Sequence, residues 1–245
     1  MDLSQATWTD VASLETDLAV VPVGSTEQHG PHAPLGTDTL AAVTVAEAGC
    51  ERYTGEVVRM PAIPVGIAEE HRHFPGTLWV SPGTFRAYVR ETIASLAFHG
   101  FERVVVVNGH GGNVDALREV TGTITRHDDA YAVPFTWFDA VGEHSRDMGH
   151  GGPLETALIS HLHPDLIDED RLEDARDGGS DRWGEWVSST NLAHDSAEFT
   201  DNGVVGDPTA GDERLGEELL DLAATALARL LERVENRDVS RPDRR

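Results

Sequence analysis

Residues 103–107, RVVVV, constrain this chain most. An unbroken run of β-branched apolar residues leaves no polar face. It reads as a strand buried on both sides, as in a parallel sheet covered by helices. The run ends at Asn108-Gly-His-Gly-Gly-Asn113, which sets a histidine among glycines at the strand's carboxyl end. Open parallel sheets carry their chemistry at such loops.

The same alternation repeats along the chain. Residues 17–23 (DLAVVPV) read as a buried strand, 37–50 as an Ala/Val-rich helix, and 57–65 as a strand region broken by prolines. SPGT at Ser81 is a helix start, and an amphipathic helix is predicted to His99. A helix to His127, a strand over 130–138, a helix over 154–162 and a final amphipathic helix over 212–234 complete the pattern. Strands alternating with helices predict an α/β fold, a mostly parallel sheet sandwiched between helices. The expected organisation is one domain over 1–235. Near 165–201 it carries an insertion or lid that includes Trp183 and Trp186, and a charged tail follows over 236–245.

Potential ligands gather where the strands end. STEQHGPHAPLGTD follows the first strand and supplies Glu27, His29, His32 and Asp38. Glu27 and His29 are two apart, so in an extended segment they point the same way. Asp38 can cap the next helix or bridge two metals from its start. Glu70, His71 and His73 follow the second strand and His110 the third; His144, Asp147, His150 and Glu155 follow the fourth. Imidazole plus carboxylate is a ligand set for Zn²⁺, Fe²⁺ or Mn²⁺. Neither GHGG copy is followed by the Lys-Ser/Thr of a phosphate loop, and no G-x-S-x-G elbow is present.

Composition narrows the partners. The formal net charge is -24 and all 19 basic residues are arginine, so charge alone makes a poor nucleic-acid binder. The acidic residues are spread between apolar runs, which fits a solvated surface in a high-salt cytoplasm. Cys50 is the single cysteine, so neither an intramolecular disulfide nor a thiolate cage is expected. The N-terminal residues lack a signal-peptide pattern, and no run is long and apolar enough to span a membrane.

Taken in order, STEQHGPHAPLGTD, EHRHFPGT, VNGHGGN, HGGPLET and GVVGDPTAG resemble the creatininase (creatinine amidohydrolase) family over about residues 17–225. That family includes formamide hydrolases acting on a pyrimidine precursor of flavins and deazaflavins, and peptidases that trim a cofactor precursor. The resemblance implies a parallel sheet between helices, a homo-oligomer and two divalent metal ions. Asp38 would bridge the ions, Glu27 and His110 would hold one, and His29 the other. His150 would handle the proton, with Glu155 beside it, while Glu70, His71 and Arg146 would contact a small-molecule amide. In creatininase proper, a tyrosine and a metal-binding glutamate follow the histidine that matches His110; here they are Gly111 and Gly112. A tryptophan that covers the creatinine ring is matched by Arg146, and Glu155 could serve the second metal instead. The resemblance therefore ranks a formamide of a pyrimidine ribotide first, a cofactor-peptide peptidase next and creatinine third. A metal-binding family member without catalysis is the reading from another class.

Overall fold

The computed structural model describes residues 1–241, so residues 242–245 of the expected charged tail lie outside the described residues. The sheet has the order β2-β1-β3-β4 and is parallel throughout. Its strands are β1 (Leu18–Val23), β2 (Val58–Arg59), β3 (Arg103–Asn108) and β4 (Tyr131–Thr136). Helices α2 (Thr37–Arg52), α3 (Pro82–Phe98) and α4 (Val114–His127) are the crossovers; α5 (Pro153–Leu162) and α7 (Glu213–Glu235) follow the sheet. The short α1 (Trp8–Val11) precedes it, and α6 (Leu172–Asp177) lies between α5 and α7.

Side chains alternate across a strand, and here both faces are covered. Leu18, Val20, Val105 and Val107 pack with Ala41, Val45, Leu158 and Leu227 of α2, α5 and α7. Ala19, Val21, Val104 and Val106 face Phe85, Ile93, Leu117 and Ile124 of α3 and α4. Every β1 residue is buried. Two dry faces explain why these strands show no polar alternation in sequence. Helix starts also follow local chemistry. Ser81 Oγ accepts from the Thr84 N–H with Pro82 behind it, and Asp212 accepts from the Leu215 N–H.

Boundaries differ from expectation where proline or a tight turn intervenes. The predicted strand over 57–65 shrinks to Val58–Arg59, with one isolated bridge between Ile63 and Val23. Pro61 and Pro64 have no N–H to give to a ladder. The predicted strand over 130–138 stops at Thr136 and turns into a 3₁₀ segment, Trp137–Asp139. Within 165–201, Ile167 and Ala175 are buried and Ser180 pairs with Val205. Beyond them a two-stranded hairpin, β5 (Trp186–Val187) with β6 (Thr190–Asn191), carries an exposed Trp186. No helix among the described residues is long and apolar enough to cross a membrane.

Candidate metal centre

The loops leaving the carboxyl ends of β1, β2, β3 and β4 meet at one point. Glu27 and His29 arrive on the loop after β1, and Asp38 on the first turn of α2. Gly36 holds the N-cap position, so Asp38 is not the cap; its side chain turns inward and is buried. His110 follows β3 directly. His150 is held by a backbone pair with Val205, and Glu155 comes from the first turn of α5. All six are buried.

The distances define two adjoining groups. His110 Nδ1 lies 3.1 Å from Glu27 Oε1 and 3.2 Å from Asp38 Oδ2. His29 Nε2 lies 3.1 Å from Asp38 Oδ1 and 3.6 Å from Glu155 Oε1. Asp38 therefore faces both histidines, one with each oxygen. Ligand atoms of Glu27, Asp38 and His110 lie within 4.8 Å of one another, as do those of His29, His150 and Glu155. Both Glu27 oxygens and Asp38 Oδ2 are buried without a hydrogen-bond partner. Buried acceptors left bare are costly, and a cation is what such a cluster accommodates.

Backbone carbonyls orient the rings. His29 Nδ1 donates to Glu27 O at 3.2 Å, His110 Nε2 to Ile67 O at 2.6 Å, and His150 Nε2 to Gln28 O at 2.5 Å. In the neutral form each ring then turns its bare nitrogen toward the carboxylates. This is the arrangement that fixes a metal-ligating imidazole. Glu155 is fixed too, since its Oε2 accepts from the Gly151 N–H at 2.6 Å.

Without a cation, protons neutralise the cluster. Burial pushes the Glu27 carboxyl up to about 7, against the opposing pull of His110. Burial disfavours charge on His29 and His110 as well. The carboxylates overcome it, Asp38 and Glu155 for His29 and Glu27 and Asp38 for His110, so both imidazoles bind protons well above the ordinary range. For Asp38, burial is outweighed by His29 and His110, which hold its carboxyl below the usual range. His150 goes the other way. Burial, then the neighbouring His71 and His29, keep it neutral far below the usual histidine range.

Other candidates divide cleanly. His71 is fully buried and its ring stacks on His150 at 4.1 Å between centroids. Glu70 is partly buried and burial raises its carboxyl. Both line a cavity of about 300 Å³ with His110, Gly112, His150 and Trp183. Arg146 does not join them: it lines an outer cleft of about 720 Å³ with Arg182, Asp181 and Asp207. Trp183, Met148 and Gly149 border both spaces. His144 pairs with Glu218, His73 with Asp195, and His32 with Thr156, all outside the cluster. Sequence reasoning passed over Gln28 and Ser196, which hold His71 from behind. Gln28 sits inside the STEQHG motif, but nothing in the sequence indicates that Ser196 comes near it.

The glycines of the first GHGG work by close approach. A Cβ on Gly109 would lie 2.1 Å from the Asp38 carbonyl oxygen, and one on Gly112 would lie 2.2 Å from the Ile67 oxygen. A glutamate at 112, as in creatininase proper, has no room on this backbone, and Glu155 brings a carboxylate to His29 from α5 instead. Gly109→Ala is expected to destabilise the protein by about 1–3 kcal/mol through overpacking against backbone. A lowered urea midpoint with unchanged slope reads that effect.

Comparisons with known proteins agree with this fold. The creatinine amidohydrolase family model, Creatininase, matches residues 4–231. Mycofactocin precursor peptide peptidase of Mycobacterium ulcerans is 34% identical over 221 residues, covering 86% of this chain and 84% of its own length. Creatinine amidohydrolase of Pseudomonas putida is 34% identical over 180 residues, covering 63% of this chain and 68% of its own. The crystal structure of a creatinine amidohydrolase (creatininase) aligns with a TM-score of 0.79 at 25% identity, covering 97% of this chain and 98% of that one. A manganese creatininase aligns with a TM-score of 0.77 at 25% identity, covering 94% of this chain and 97% of its own. With the family model spanning nearly the whole chain and solved creatininases sharing its fold, this protein belongs to the creatininase family of hydrolases.

Proposed function

We propose that this chain is a two-metal amidohydrolase that cleaves an amide bond in a peptide precursor. One observation carries the metal-dependent hydrolysis: the buried Glu27 Oε1 and Asp38 Oδ2, neither with a hydrogen-bond partner, lie 3.1 and 3.2 Å from His110 Nδ1. Glu27, Asp38 and His110 would hold one ion; His29 and Glu155 would hold the other, with Asp38 shared. Zinc and manganese, the metals named for structural relatives, both suit this donor set. Such a pair would supply a water acidic near neutral pH and would polarise the scissile carbonyl. His150 offers a bare Nδ1 on the cavity wall, 3.7 Å from Glu27 Oε1. It takes the water's proton and passes it to the leaving nitrogen. Trp183 stands edge-on to His71 and His150 at 5.7 and 5.9 Å and lines the cavity, which supports a lid role for the segment that carries it.

The substrate class follows from size and relationship. The inner cavity takes the reacting amide, and the outer cleft beyond Met148 and Trp183 takes the rest of a longer molecule. A relative at 34% identity over most of both chains is a precursor-peptide peptidase. This support moves a peptide ahead of the formamide that the motifs alone put first. A formamide of a pyrimidine ribotide stays as the second reading because Arg146 and Arg182 line the outer cleft, where a phosphate would pair with them. Exposed Leu35, Leu78 and Trp79 support a homo-oligomer, checked by light scattering.

The test is a panel on one preparation loaded with Zn²⁺, Mn²⁺ or Fe²⁺ in high salt. It compares precursor peptides, a formylaminopyrimidine ribotide and creatinine. Peptide cleavage should exceed the others, and creatinine turnover should be negligible, because Gly111 and Gly112 provide neither the tyrosine nor the glutamate of creatininase proper. Faster turnover of the ribotide would install the second reading. Faster turnover of creatinine would overturn both.

A further inference from the structure

His71 differs from the other three histidines at the centre. Their outward nitrogens meet backbone carbonyls, so in the neutral form the inward nitrogen is bare. The outward Nδ1 of His71 instead meets the Gln28 side-chain nitrogen at 2.7 Å. That amide has only one consistent orientation. Its oxygen accepts from the Gly30 N–H at 2.9 Å, and its nitrogen donates to the Gly203 carbonyl at 3.1 Å. A flipped amide would set donor against donor at Gly30 and acceptor against acceptor at Gly203. Gly203 leaves no slack, because a Cβ there would fall 2.0 Å from Gln28 Oε1. The Gln28 NH₂ must therefore donate to Nδ1. The Ser196 hydroxyl, 2.8 Å from Nδ1, can turn to donate as well or keep its bond to the Glu70 carbonyl.

A neutral ring with a bare Nδ1 carries its proton on Nε2. His71 lines the inner cavity, and its Nε2 is buried, has no hydrogen-bond partner and lies 3.5 Å from Glu27 Oε1. The stack on His150 holds the ring plane.

We propose that His71 is a fixed Nε2–H donor to the substrate's carbonyl oxygen as that oxygen gains negative charge, and that Gln28 sets its tautomer. The inference rests on the amide-hydrolase reading and adds a catalytic group to it. A donor aimed in advance at a developing oxyanion costs no reorganisation when the charge appears. The same tautomer removes His71 from the ligand set, although its position beside Glu27 and His150 would otherwise suit a metal ion.

Two measurements test this. Long-range ¹H–¹⁵N correlation on ¹⁵N-histidine protein at neutral pH, assigned against His71→Phe, should show His71 protonated at Nε2 with Nδ1 bare, with or without metal. A proton on Nδ1 would overturn the proposal. His71→Phe keeps the ring stack and removes both nitrogens. It should bind wild-type amounts of metal, lower kcat about 10²–10³-fold, the loss of one oxyanion donor, and leave KM within a few-fold. Loss of metal would make His71 a ligand, and unchanged kcat would make it a packing residue; either result overturns the proposal. If His71→Phe does not fold, Gln28→Glu replaces it. A carboxylate facing Nδ1 draws the proton there, so the spectrum should switch tautomer and kcat should fall with metal retained. A wild-type protein without amide turnover would sink the proposed function, while the tautomer spectrum would still stand or fall by itself.

Discussion

Asp38→Ala should lose both metal ions and hydrolytic turnover while keeping the fold. Asp38 is the one carboxylate with an oxygen on each side of the centre, 3.1 Å from His29 and 3.2 Å from His110. Removing a residue that merely supports a metal ligand costs about 10–100-fold in metal affinity or activity. Removing one shared by two ions should exceed about 100-fold for each. His29→Ala, which spares Glu27, Asp38 and His110, should keep one ion more firmly than Asp38→Ala does. The fold should survive because α2 is anchored by Ala41, Val45 and Ala46 in the core, and Asp38 is not its cap. Asp38→Asn preserves shape and tests charge alone; it should behave like the alanine variant. Metal content by mass spectrometry, circular dichroism and turnover together decide the matter. Full metal content with full turnover would reduce Asp38 to a structural residue.

Metal affinity should fall steeply as pH drops through neutrality. In the metal-free protein, Glu27 is pushed up to about 7 by burial, and the carboxylates hold His29 and His110 protonated well above the ordinary range. A cation must displace those protons. The folded pKa values are raised, so the competing protons are fully present below neutrality and leave as pH rises through the raised values. Affinity should therefore rise with pH, by about tenfold per unit for each proton displaced. His150 and His71, which burial keeps neutral at these pH values, should contribute nothing to the slope. Calorimetric titration of Zn²⁺ or Mn²⁺ in buffers of different ionisation enthalpy counts the protons released. A proton count near zero would contradict the proposed ligand set.

Strand identity was legible in the residues because burial on both sides erases polar alternation. The runs 17–23 and 103–107 became the two central strands, and the SPGT start and Asp212 became helix caps. Weaker elements were less legible. The proline-broken strand over 57–65 kept two ladder residues, and the strand over 130–138 gave up its end to a 3₁₀ turn at Trp137. Neighbouring backbone decides how far such segments pair, and a local pattern does not record it. The second-metal glutamate shows the same limit. Its absence at Gly112 was plain, and Glu155 was a candidate, yet only packing of α5 against the β1 loop brings Glu155 to 3.6 Å from His29.

The sequence by itself determined the α/β class, the two-sided burial of the central strands and the ligand-bearing loops at their carboxyl ends. Strand and helix periodicity and the placement of Gly, Pro, His and carboxylates are local properties, and their physical reasons operate within a few residues. Tertiary structure alone decided that Arg146 lies in an outer cleft, that Trp183 lines both that cleft and the inner cavity, and that Ser196 reaches His71. It also decided which ring nitrogen each central histidine turns inward. A tautomer depends on whether a distant carbonyl or a distant amide meets the outer nitrogen, and only the packed chain brings Ile67 to His110 and Gly203 to Gln28.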